Sequence, residues 1–107
     1  MNAVIRFVTG LLVCMGGVGI MFPLEAHAAD VANGQRLFMA NCAGCHGING
    51  ISIMKDAPDL ARFEMRDQTD QTLIEKIQSG SGSMPPYIGI LKDGEILDVV
   101  SFIRTFN

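Results

Sequence analysis

Two cysteines and a histidine fall within five consecutive residues, Cys42-Ala43-Gly44-Cys45-His46, and no other feature limits the fold so narrowly. C-x-x-C-H is the spacing of a covalent haem attachment site. Two thiols must reach from a single turn to add across the vinyl groups on one edge of a porphyrin. The histidine that follows then swings beneath the ring and offers its imidazole to the iron. Ala43 and Gly44 are small enough to let the backbone approach the haem edge. Other uses of the motif fit less well. A structural zinc site asks for four Cys or His ligands, and residues 29–107 hold only these three. A thioredoxin-like pair expects a βαβ context. A disulfide between residues three apart is open to an exported chain but closes too short a loop to brace much.

The rest of the chain suits a cofactor-built core. Its 107 residues hold one domain at most. The start reads as a secretory signal peptide over residues 1–28: Arg6 precedes an uncharged run from Val8 to Phe22, and Ala26 and Ala28 form an A-x-A site. A spanning helix needs about 20 apolar residues, whereas this run is shorter and broken by Gly10, Gly16, Gly17 and Gly19. An uncleaved anchor is the alternative. Cleavage after Ala28 removes Cys14 and His27 and leaves a domain of 29–107, which is small enough to need a staple, metal or cofactor. The net charge of −3 survives cleavage, because Arg6 and Glu25 leave together. No basic stripe is present to neutralise phosphates, which argues against nucleic acid.

Periodicity predicts an all-α domain with three main helices. The first runs from about Val31 to Asn41, capped by Asp30, with Gly34 and Phe38 on one face. The second begins near Thr69 or Asp70, buries Leu73, Ile74 and Ile77, and stops at Gly80. The third begins near Asp93 and buries Ile96, Val99, Val100, Ile103 and Phe106, leaving Asp98 and Arg104 outside. Between the first two lies an aperiodic stretch from Gly47 to Gln68. A loop that long in a compact domain is usually functional, and wrapping a cofactor gives its apolar residues something to pack on.

A second iron ligand must come from Met39, Met54, Met65 or Met84 within residues 29–107. Met39 lies on the helix that leads into the attachment motif and cannot cross to the far face. Met54 and Met65 are within reach but have no supporting local pattern. Met84 sits in Gly80-Ser81-Gly82-Ser83-Met84-Pro85-Pro86. There Pro85 pushes Met84 into an extended shape, and the glycines give the turn room near a porphyrin. Tyr87, Lys55 and Arg62 could bond haem propionates, but each reads better as an ordinary, partly exposed side chain.

Gly34, Phe38, Cys42, Cys45 and His46 match the G-x-x-x-F-x-x-x-C-x-x-C-H opening of the class I cytochromes c, and the chain resembles above all their short bacterial and cytochrome c6-like members. The resemblance covers nearly all of 29–107. It implies the cytochrome c fold, with long loops wrapped around one covalent haem c and its iron. It implies that Gly34 and Phe38 let the first helix cross the last at Val99 and Phe102. It also implies that the Pro58 carbonyl accepts a hydrogen bond from His46, that Leu60 lines the haem, and that Met84 is the distal ligand opposite His46. The activity expected is one-electron transfer in the periplasm, or in the thylakoid lumen of a photosynthetic source, rather than enzymatic turnover. Redox proteins would dock transiently at the haem edge of a monomer, which meets membranes only through partner complexes. The rivals are a dedicated haem subunit of a dehydrogenase or oxidase complex, and a gas-sensing haem with a labile sixth ligand.

Overall fold

The computed structural model describes residues 16–21 and 28–106. The basic start of the expected signal peptide, most of its apolar run, and Ala26 of its cleavage site lie outside them. Among these residues the helices are, in order, α1 Val31–Asn41, α2 Ala43–His46, α3 Phe63–Arg66, α4 Asp70–Ser79 and α5 Asp93–Ile103. Among the described residues no strand forms, only isolated bridges at Ser81–Met84 and Ile88–Leu91. The domain is therefore all-α, as periodicity requires.

The three longer helices stand where the sequence places them, for local reasons. The Asp30 carboxylate accepts from the Asn33 amide and satisfies one free donor at the start of α1. Thr69 does the same for α4 through the Thr72 amide, and Gly80 ends that helix at φ 70°. In α5 the Glu95 carboxylate accepts from the Lys92 amide.

Helix α1 packs across α5 at close range. Gly34 is buried there, and a Cβ in its place would overlap the Asp98 carbonyl. Phe38, Ile96 and Val99 are fully buried around this crossing. Phe38, Phe102 and Phe106 form a tilted and edge-on trio with ring centroids 5.1–5.4 Å apart, a favoured aromatic geometry.

Three expectations need correction. Asp98 is half-buried rather than outside, because its carboxylate accepts from the Asp30 amide at 2.7 Å and from Asn33 Nδ2 at 2.8 Å. Arg104 is also half-buried: it bonds Asp70 and reaches the carbonyls of Arg66 and Gln68, tying the end of α5 to the α3–α4 corner. Ile74 is only half-buried, since the core face of α4 narrows to Leu73 and Ile77.

Candidate haem-binding site

Helices α1, α4 and α5 and the long loop leave a cleft of about 1090 Å³, its open mouth included. Phe38, Leu60, Leu73, Ile77, Val99 and Ile103 supply much of its apolar wall. An open cleft lined by so many apolar side chains leaves them wet unless an apolar group fills it.

The attachment motif reaches the cleft through a change of helix. Cys42 closes α1, its amide donating to the Phe38 carbonyl at 2.8 Å. The chain then turns into α2, where the amides of Cys45 and His46 both donate to the Cys42 carbonyl. This single turn brings both thiols and the imidazole to the cleft lining. His46 is 9% exposed, and its Nδ1 lies 3.1 Å from the Pro58 carbonyl. A carbonyl can only accept, so it selects the tautomer with the proton on Nδ1 and leaves Nε2 a free lone pair.

The Pro58 segment is itself held. Leu60 donates through its amide to the Gly50 carbonyl at 2.7 Å. The Asp59 carboxylate accepts from the Ser52 amide at 2.6 Å and from Arg62 Nε at 3.0 Å. Asp59 was not singled out from the sequence; a short acceptor beside a loop proline was the only signal for it.

Of the four candidate methionines, Met54, Met65 and Met84 line the cleft, whereas Met39 is absent from the lining and 38% exposed. Met65 Sδ already accepts from Gln68 Nε2 at 3.5 Å. Met84 is half-buried in a loop closed by paired backbone bonds with Ser81, at 2.9 and 3.1 Å. Gly80 makes that closure sterically accessible. Its φ is positive, and a Cβ there would come within 2.5 Å of the Met84 carbonyl oxygen.

Tyr87 also lines the cleft, but its hydroxyl is already engaged with the Asn41 carbonyl at 2.9 Å. Lys55 and Arg62 line a separate surface pocket, and Arg62 is paired with Asp59. Lys76 reaches the main cleft instead, and Asp56 is the one carboxylate beside it in the lining. The sequence carried a signal for Lys76: it follows Leu73 by three residues and so shares that helix face.

The donor set fits a covalent haem. Cys42 and Cys45 form no disulfide with each other, and the Cys42 thiol is pushed up to about 11, first by burial and then by Cys45 beside it. A redox-active C-x-x-C pair needs the opposite shift, toward the thiolate. An apolar cleft, two thiols on one turn, an oriented imidazole and a thioether suit iron in a porphyrin.

Known proteins point the same way. The family described as cytochrome c oxidase, cbb3-type, subunit III, matches residues 29–103. Cytochrome c6 of Thermosynechococcus vestitus is 32% identical over 102 residues, covering 92% of this chain and 88% of that protein. Cytochrome c6 of Synechocystis is 33% identical over 97 residues, covering 86% and 80%. Among solved structures, the c-type cytochrome KustC0563 aligns with a TM-score of 0.63 at 28% identity, over 68% of this chain and 95% of that one. Cytochrome c6 of the diatom Phaeodactylum tricornutum aligns with a TM-score of 0.57 at 30% identity, over 70% and 91%. With its helical order, its cleft and its attachment turn, the chain belongs to the class I c-type cytochromes: it carries one covalent haem c and moves electrons rather than transforming a substrate.

Proposed function

We propose that the protein is an exported one-electron shuttle whose haem is held as thioethers by Cys42 and Cys45, with His46 and Met84 as the two iron ligands. The observation that carries this reading is the 3.1 Å contact from His46 Nδ1 to the Pro58 carbonyl, made in the same cleft that Met84 lines. The bound group supplies an iron that alternates between ferrous and ferric states. The chain's own residues determine how it does so. Pro58 fixes the plane and tautomer of His46, leaving Nε2 as the nitrogen that would bind iron. Met84, a soft thioether, favours the ferrous state. Two protein ligands leave no position for substrate, and Leu60, Val99 and the other apolar residues of the cleft keep water away.

Export through cleavage after Ala28 would deliver the domain to the periplasm, or to the thylakoid lumen of a photosynthetic source. Among the described residues no helix is long and apolar enough to cross a membrane. Redox partners would dock briefly at the open mouth of the cleft, and the net charge of −3 favours partners with basic patches. The family description names an oxidase subunit, which favours a dedicated haem subunit as second reading. Purification with native complexes separates the two, since a shuttle leaves free and a subunit stays attached.

Met84 is the decisive test. The ferric protein is expected to show the weak red absorption band of an iron–sulfur bond. Met84→Ala should abolish it, let the reduced haem bind carbon monoxide, and lower the potential by a sizeable part of the roughly 0.8 V that axial ligation spans. Met54→Ala and Met65→Ala should do none of this, because they remove only packing. A band that persisted in Met84→Ala would assign the ligand to another residue.

A further inference from the structure

Tyr87 stands three residues after Met84, and its backbone and side chain bond two different parts of the cleft wall. Its amide donates to the Ile77 carbonyl on α4 at 3.0 Å. Its hydroxyl donates to the Asn41 carbonyl at 2.9 Å, across 46 residues of sequence. Asn41 is the last residue of α1 and the one immediately before Cys42. Its carbonyl is left without a helical donor, because the amides of Cys45 and His46 bond the Cys42 carbonyl instead. The phenol therefore satisfies an orphaned helix-end acceptor and joins the two chain segments that face each other over the cleft.

No other hydrogen bond among the described residues links segment 80–91 to α1 or α2. Ser81, Gly82, Ser83, Pro85 and Pro86 are exposed, and the paired Ser81–Met84 bonds close the loop only on itself. The loop's shape is thus set internally. The Tyr87 and Ile88 amides tie its far end to the Ile77 and Gln78 carbonyls of α4, and the Tyr87 hydroxyl supplies the hydrogen bond that ties it to the attachment turn.

We propose that Tyr87 is a positioning residue that holds the Met84 loop against the attachment turn and so keeps the methionine sulfur on the iron. This rests on Met84 being the ligand. The tyrosine acts through Met84 and touches no reacting atom. Its removal should loosen one bond, the iron–sulfur bond, before it loosens the fold.

The test uses the haem-loaded protein and Tyr87→Phe, which keeps the ring in the wall and deletes only the hydroxyl. The red band and the helical circular dichroism are followed together on heating. In the variant the band should fade at a lower temperature than in the unaltered protein, while the helix signal melts where it did before. Carbon monoxide should bind the ferrous variant about fivefold faster, the factor that one ordinary hydrogen bond is worth. The proposal is overturned if band and carbon monoxide rate match those of the unaltered protein. It is overturned equally if band and helix signal fall together at a lower temperature, or if the variant does not fold, since the hydroxyl would then serve general stability. A failure of the Met84 reading looks different: the band would be missing from the unaltered protein, or would survive Met84→Ala.

Discussion

Asp59 shows how much a single side chain beyond direct reach of the iron can govern. Its two oxygens hold the Ser52 amide and Arg62, and its neighbour Pro58 presents the carbonyl that fixes His46. The Arg62 pair is largely exposed on the arginine side and contributes little. The Ser52 amide matters more, because losing its partner leaves a half-buried donor unsatisfied. Asp59→Ala is expected to lower stability by about 1–2 kcal/mol, read from the midpoint of guanidinium unfolding of the haem-loaded protein. Asp59→Asn, which retains an acceptor oxygen, should recover most of that loss. At this scale the attachment motif was the most legible part, because its spacing is dictated by porphyrin geometry. The expected contact of His46 with Pro58 appears in the structure. Asp59 and the Tyr87–Asn41 bond were not legible, since each depends on where a loop returns in space.

Among the elements, the α1–α5 crossing leaves the least room. Gly34→Ala would drive a methyl group into the backbone carbonyl of Asp98, and backbone has no rotamer through which to yield. Overpacking of this kind costs about 1–3 kcal/mol, and the displaced helices would also strain the Phe38–Phe102–Phe106 trio. Thermal melting followed by circular dichroism should show the midpoint well below that of the unaltered protein. Gly94→Ala, at an exposed position with open space around it, should melt close to normal or slightly higher. The three longer helices could be read from sequence because each repeats its apolar residues over about three turns and carries a cap. Helices α2 and α3 could not, because four residues are too few to show a period. Arg104 was expected in solvent, since helical periodicity says nothing of the carbonyls of Arg66 and Gln68 that wait beside the end of α5.

For the molecule as a whole, the haem is part of the core. The apolar wall residues that face the cleft have only each other to pack on without it, and a domain this small has little surplus stability. Replacing both Cys42 and Cys45 with alanine is expected to leave a haem-free chain that is largely unfolded, with most helical circular dichroism lost. Normal helix content in that double variant would show that the polypeptide builds its core unaided.

The crossing of α1 on α5 also sets an order of events during synthesis. Gly34 and Phe38, near the front of the domain, find their partners at Asp98 and Phe102, near its end. A chain that emerges from a ribosome or a translocation channel N-terminus first cannot close this contact until almost all of it is out. Until then the turn at Cys42–His46 has no α5 behind it and no Met84 loop before it. Both thiols are thus reachable from more sides during that interval than in the folded domain. Arrival of the last helix then backs the turn without sealing it, since Cys45 stays exposed and Cys42 half-buried once α5 is in place.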